Sequence, residues 1–322
     1  MQIMVGIGIL GVGGWGQNHA RVLAELQSED LIERTIVIDI DEIRAKKISK
    51  KFGLEFSTNY EDVLKREDIH GIIIATPTPL HYMHAKKALE AGKHVLVEKP
   101  VTETSLQAKE LKKLSEKNKL IVMAGFLLRY SPAIEKVKEI VKQNVMGNIL
   151  TIIAKRTSWW PKRKLDVGVV RDLAIHDIDL IRYLFGLNPR VIFAYGGKII
   201  HDYEDFVSAS ILYSDEESER EIMAHIEANW VTPFKIRKME ITTEKGLITI
   251  DFMMHTIEIM NEDGIRIPKI PYQEPLKLED INFIDAIKGK VKPKVNIDDG
   301  ISALEPCERI LEAINTRQPV KI

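Results

Sequence analysis

A single cysteine, Cys307, stands among 322 residues. It has no internal disulfide partner, and nothing else points to an oxidising compartment, so a cytoplasmic location is expected. Charge of either sign is not in surplus: 46 Lys and Arg face 47 Asp and Glu, a formal net charge of -1. That leaves no general field for gripping a polyanion and argues against nucleic acid as a partner. No apolar run approaches the length of a membrane-spanning helix, so no membrane partner is expected. The apolar stretch from Val5 to Val12 is broken by glycines and lacks a basic leader and a small-residue cleavage site. It reads as a buried strand rather than a signal peptide. Internal repeats and low-complexity tracts are absent.

What is present is an ordinary globular composition, 45% hydrophobic and 29% charged, in a chain long enough that two domains are the default. In residues 1–125, short β-branched runs (Val5 to Leu10, Thr35 to Ile38, Gly71 to Ala75, His94 to Val97, Leu120 to Ala124) alternate with helix-patterned, charged stretches. That alternation is the signature of parallel strands joined by crossover helices, an α/β doubly wound Rossmann sheet. Beyond Phe126 a helix from Pro132 to Gln143, a strand from Ile149 to Arg156 and a helix from Leu173 to Phe185 lead into many strand-like runs. Residues 126–322 therefore read as an α+β domain with a large, mostly antiparallel sheet. A last helix, Gly300 to Ile314, closes the chain without showing which domain it joins.

Gly11-Val12-Gly13-Gly14-Trp15-Gly16 directly follows the first strand and opens a helix. In that context GxGxxG is a dinucleotide-binding pattern: a glycine for the tight turn, one for close approach of the pyrophosphate, one for helix against strand. The helix N-terminus adds free amides and the positive end of its dipole. Asp39, ending the second strand 23 residues after Gly16, is placed to accept hydrogen bonds from the adenosine ribose, which favours NAD. Arg44 nearby keeps NADP open, and a solvated strand-end aspartate is the plain alternative. Thr76-Pro77-Thr78-Pro79 ends a third buried strand, where open α/β sheets bind ligands.

Farther on come His81, Ala88-Leu89-Glu90-Ala91-Gly92-Lys93-His94, Glu98-Lys99-Pro100, Arg129-Tyr130 and Asp172-Leu173-Ala174-Ile175-His176-Asp177-Ile178-Asp179. Together with the glycine motif and Ala75-Thr76-Pro77-Thr78, this ordered set resembles the glucose-fructose oxidoreductase and inositol dehydrogenase (Gfo/Idh/MocA) family along the whole chain. Arg171 departs from it, since the family often has glycines just before the aspartate. The resemblance implies NAD as cofactor, with Thr76, Pro77, His81, Glu98 and Lys99 adding to the cofactor site. It also implies a second domain for substrate binding and oligomerisation, in a homodimer or homotetramer. Lys99 and His176 would flank the reacting carbinol, one as base and the other stabilising the oxyanion, with Asp172 as the third catalytic residue. Independently, Asp172 and His176 lie four apart at the start of a helix, so they share a face that Asp179 continues. An imidazole beside a carboxylate suits proton abstraction near neutral pH. Nothing beyond that helix supports a metal, and none is expected.

Arg156, Trp159, Trp160 and Arg163 combine aromatic faces with cations just before that helix. Such a set suits stacking on a sugar or base and holding phosphate, although paired tryptophans are more often packing. Val167 to Asp179 is similar to the nucleotide-sugar 3-dehydrogenases acting on UDP-N-acetylglucosamine. The expected substrate is therefore a sugar or nucleotide sugar, bound by Lys99, Arg129, Tyr130, Arg156, Trp159, Trp160, Arg163, Asp172 and His176. An inositol or free-sugar dehydrogenase and a catalytically silent NAD-binding regulator are the alternatives.

Overall fold

The computed structural model describes residues 4–161, 165–214 and 221–322, which form two compact units. The first comprises the chain up to Leu127 together with Glu274–Ile301, and the second Leu128–Gln273 with Ser302–Ile322.

The first unit runs β1 (Gly6–Leu10), α1 (Gly16–Ser28), β2 (Arg34–Ile38), α2 (Glu42–Phe52), β3 (Glu55–Ser57), α3 (Tyr60–Leu64), β4 (Gly71–Ile74), α4 (Thr78–Glu90), β5 (His94–Glu98), α5 (Ser105–Asn118) and β6 (Val122–Gly125). All six strands are parallel in the order β3-β2-β1-β4-β5-β6, so the chain reverses direction across the sheet between β1 and β4. Helices cover both faces, which is why Ile7, Ile9, Val37, Ile72, Ile73 and Val95 are buried without alternation. Local sequence sets the helix starts: Asp41 caps α2 and Asn59 caps α3, while Thr104 and Gln107 form a reciprocal capping box on α5.

The second unit runs α6 (Pro132–Lys142), β7 (Ile149–Thr157), α7 (Ile175–Phe185), β8 (Asn188–Gly197), β9 (Phe206–Ser214), β10 (Glu221–Asn229), β11 (Ile236–Thr243), β12 (Gly246–Asp251), β13 (Thr256–Asn261) and β14 (Gly264–Arg266). Next come α8 (Pro275–Ile287), which belongs to the first unit, then α9 (Ile297–Thr316), inside which the division falls, and β15 (Val320–Lys321). The nine strands stand in the order β14-β13-β12-β11-β7-β10-β9-β8-β15. Among the described residues of this sheet, only β7 and β10 pair in parallel. Alternation is clear: Ile152, Ala154, Met239 and Ile241 are buried, whereas Ile153, Phe193 and Tyr195 are exposed on the other face.

The division into residues 1–125 and 126–322 needs correction, because 274–301 folds with the first unit. The helix α8 was not visible as an element in the sequence. Its Phe283 and Ile287 lie so close to Gly71 that a β-carbon there would stand 2.7 Å from Ile287. Packing on a distant glycine leaves no local signature.

Candidate active site

The β1–α1 turn separates its glycines by task. Gly11 has φ +87°, and a β-carbon on Gly16 would stand 1.9 Å from the Gly11 carbonyl oxygen, so the turn closes only with glycine at both ends. Over Gly13 and Gly14 a β-carbon would meet nothing within 4 Å. The loop thus presents bare backbone at the start of α1, the surface a pyrophosphate requires.

Asp39 follows β2 and is buried. Its Oδ2 accepts from the Val12 amide at 3.0 Å, its Oδ1 from the Asp41 amide at 2.9 Å, and Arg44 Nη1 donates to both oxygens at 3.2 and 3.1 Å. The carboxylate therefore braces the glycine loop from beneath. Arg44 is the cation paired with Asp39.

Behind the loop lies a buried polar network that sequence reasoning did not find. His19, on α1 three residues after Gly16, places Nδ1 2.8 Å from Asp280 Oδ1 of α8 and Nε2 3.0 Å from Glu98 Oε1. That same Glu98 oxygen accepts from the Trp15 indole at 2.6 Å, and Glu98 Oε2 accepts from the Lys99 amide at 3.2 Å. With carboxylates at both ring nitrogens, His19 acts as a doubly donating imidazolium. Burial alone would lower its pKa, but Asp280 and Glu98 outweigh that and hold it well above the ordinary 6.5. Burial likewise pushes Glu98 up, and His19, Lys99 and Trp15 bring it below its ordinary value. His19, Glu98 and Glu279 also satisfy the spacing of a metal-ligand group.

Lys99 follows β5 directly, is partly exposed, and is joined to Pro100 by a cis peptide bond. His81 is buried with Nδ1 2.8 Å from the Pro100 carbonyl and Nε2 2.7 Å from the Thr76 carbonyl. It is a brace between two loops rather than the cofactor contact expected of it. Thr76 is partly exposed, with its hydroxyl 3.2 Å from His84 Nδ1, and Pro77 is exposed.

In the second unit, Asp172 sits in a single π-helical turn, Val170–Ala174, that runs into α7. Such wide turns are frequent at functional sites. Asp172 is partly exposed and His176 buried. Asp179 does not extend that pair, because Arg129 takes both of its oxygens at 2.6 to 3.1 Å, and this ion pair is buried. Arg156 is buried too, with Nε 2.8 Å from Asp177 Oδ2 and its guanidinium 4.6 Å over the Phe252 ring. Arg129 and Arg156, expected to bind substrate, instead fasten α7 to its surroundings, and Tyr130 is buried beside Arg129. Trp159 is exposed and Trp160 partly so, and a chain of rings runs from Trp159 through Trp160 and His201 to Trp230 at centroid spacings of 5.8 to 5.9 Å. Buried Asp205 holds His201 by its Nδ1. Arg163 lies outside the described residues.

Residues 5–126 match the family model described as oxidoreductase family, NAD-binding Rossmann fold, and residues 134–249 match the GFO/IDH/MocA C-terminal domain. The chain belongs to the GFO/IDH/MocA family. It is an NAD-dependent oxidoreductase. The UDP-N-acetylglucosamine 3-dehydrogenase of Acidithiobacillus ferrooxidans is 28% identical over 264 residues, covering 82% of this chain and 79% of that one. The solved structure of that protein superposes with TM-score 0.86 at 25% identity over 98% of this chain and 99% of the other. The inositol 2-dehydrogenase of Rhizobium meliloti is 25% identical and covers 99% of both chains. A levoglucosan dehydrogenase in complex with NADH shares the fold, with TM-score 0.89 at 22% identity over 99% of both chains. Some matches are partial: the chain spans 56% of an uncharacterised oxidoreductase of Streptococcus pneumoniae.

Within this GFO/IDH/MocA member, the residues the sequence hid are those whose partners are remote. A histidine one turn into α1 signals nothing until Asp280, 261 positions later, is seen against it. His201 and Asp205 sit in a loop with no motif. No described helix is long and apolar enough to cross a membrane.

Proposed function

We propose that the chain oxidises a secondary hydroxyl of a sugar to a ketone, at C3 of a nucleotide sugar such as UDP-N-acetylglucosamine. The bare glycine loop, Asp39 and the Trp15 indole are the groups that fit the dinucleotide. When bound, NAD supplies the hydride acceptor at its nicotinamide C4. His176 Nδ1 or Nε2 takes the hydroxyl proton, Lys99 Nζ stabilises the negative charge developing on the carbinol oxygen, and Asp172 orients the imidazole or the sugar. The carrying observation is the fixing of Lys99: its own amide is held by Glu98, the same carboxylate that holds Trp15 of the glycine loop. That ties the one lysine after β5 to the cofactor loop, which a silent NAD-binding regulator would not need. Trp159 and Trp160 supply the aromatic faces for sugar or base. The named relatives act on both a phosphate-bearing substrate and an inositol, so an inositol dehydrogenase is the second reading. As in the family, we place the protein in a homodimer or homotetramer.

The test is NADH production across UDP-sugars, sugar phosphates, free sugars and inositols. Oxidation of a UDP-sugar to its 3-keto product supports the proposal. Turnover of inositols alone selects the second reading, and no turnover of any polyol with NAD firmly bound overturns the dehydrogenase assignment.

A further inference from the structure

Two arginines stand side by side on the covered face of the large sheet. The register of β7 and β11 sets Arg237 opposite Arg156, and directly paired residues project to the same side. Parity agrees: Ile152, Ala154 and Arg156 on β7 and Met239 and Ile241 on β11 are buried, and Arg237 has the parity of the latter two. Lys235, two residues before Arg237, is exposed.

Arg156 is paired with Asp177 through its Nε, while its Nη2 is buried without a partner among the described residues. Arg237 is partly buried, and neither it nor Lys235 makes a side-chain hydrogen bond or ion pair among the described residues. Burial and the charge of Arg156 push the Arg237 pKa below its ordinary value, with Asp172 and Asp177 offsetting only part. The Lys235 ammonium is likewise lowered, first by Arg237 and then by burial. The neighbouring Arg156 on the same covered face ends on the Asp177 carboxylate, and Arg237 ends on none of the described carboxylates. A partly covered guanidinium beside a second one, with no side-chain acceptor among the described residues, is stabilised by an incoming anion, and its planar fork fits phosphoryl oxygens two at a time.

We propose that Arg237, with Lys235 beside it, is an anion subsite that receives a phosphoryl group of the substrate. Asp172 is near enough for its charge to reach Arg237, so the subsite adjoins a residue placed in the catalytic set. It would separate phosphate-bearing sugars from neutral polyols. The identity of the ligand rests on the sugar-oxidation reading above, whereas the anion site itself does not.

The experiment is calorimetric titration of the NADH-loaded protein and its Arg237→Met, Arg237→Lys and Lys235→Met variants with UDP, glucose 6-phosphate and myo-inositol. NADH affinity and melting temperature serve as fold controls. The wild type is expected to bind UDP or glucose 6-phosphate. Arg237→Met should weaken that binding about 10-fold or more, Arg237→Lys less, and Lys235→Met about 3-fold, as for the loss of charge-assisted hydrogen bonds. Binding of UDP alone assigns the site to a diphosphate, and of glucose 6-phosphate alone to a sugar phosphate. Binding of neither anion by the wild type, or unchanged affinity in Arg237→Met, overturns the proposal. Should Arg237→Met fail to fold, unchanged affinity in both Arg237→Lys and Lys235→Met does the same. A protein that oxidises no sugar but loses UDP binding with Arg237 keeps the subsite and rejects the reaction. One that oxidises a sugar with Arg237 immaterial does the reverse.

Discussion

His19 Nε2 lies 3.0 Å from Glu98 Oε1, and the same ring reaches Asp280 at 2.8 Å through its other nitrogen. All three side chains are buried, so the imidazolium offsets carboxylate charge that no water screens. Removing one partner of a buried pair leaves the other uncompensated, which costs about 3–5 kcal/mol. His19→Ala should therefore lower stability by that order in chemical denaturation. It should also loosen NADH, since Glu98 would lose a partner that fixes it beneath Trp15. An unchanged denaturation midpoint and NADH affinity would reject the clamp.

The same relationship sets a pH dependence. The folded pKa of His19 is raised above its unfolded value, so its contribution is complete below about pH 6.5 and is lost as pH rises through the folded value. The stability gap between wild type and His19→Ala should be widest at mildly acid pH and narrow on the alkaline side. Melting curves across pH check this, and a gap that widens toward alkaline pH would contradict the assigned charge state.

Asp39 is expected to set cofactor preference. Its carboxylate would repel a 2′-phosphate, while Arg44, now donating to it at 3.1 Å, would be released to meet one. Asp39→Asn keeps an acceptor for the Val12 amide, so the loop should survive. The ratio of NADPH to NADH affinity, read by nicotinamide fluorescence, should shift about 10-fold or more toward NADPH, the worth of one or two charge-assisted hydrogen bonds. No shift would remove Asp39 from cofactor selection.

The first unit was legible because its signals are local. Strand runs bounded by turns and a glycine motif opening a helix depend on neighbours in sequence. The pieces that escaped depend on neighbours in space. The helix α8 was missed although it supplies Asp280 to the network behind the loop. The short strand β3 carries only three residues, too few for a pattern. Arg129 and Arg156 illustrate the opposite error: a cation near an expected site reads as a ligand, yet Asp179 and Asp177, at the start of α7 beside His176, hold them. The π-helical turn at Val170–Ala174 also breaks the regular spacing from which a shared face was inferred.

Arg156 should behave as structure. Its Asp177 partner has no exposure, and burial pushes that carboxyl up against the pull of Arg156. Arg156→Met should cost about 3–5 kcal/mol by stranding Asp177, and pairing it with Asp177→Leu should recover much of the loss. Denaturation of the two single variants and the double variant gives the coupling. Additive losses would show that the pair does not act as one unit.

The catalytic assignment makes the sharpest demand. Lys99→Met and His176→Ala remove, respectively, an oxyanion stabiliser and a general base, each of which typically contributes about 100-fold or more to turnover. Loss of uniform binding would instead raise KM with kcat preserved. Both variants should therefore lose kcat while binding NADH through the glycine loop and Asp39 with near-normal affinity. They should separate in their pH profiles. If His176 is the base, its loss removes the acid limb of kcat/KM, and Lys99→Met retains that limb at reduced height. If the limb instead vanishes with Lys99 and persists without His176, the two roles are exchanged. Near-normal kcat in both folded variants, on a substrate the wild type oxidises, would place the chemistry elsewhere.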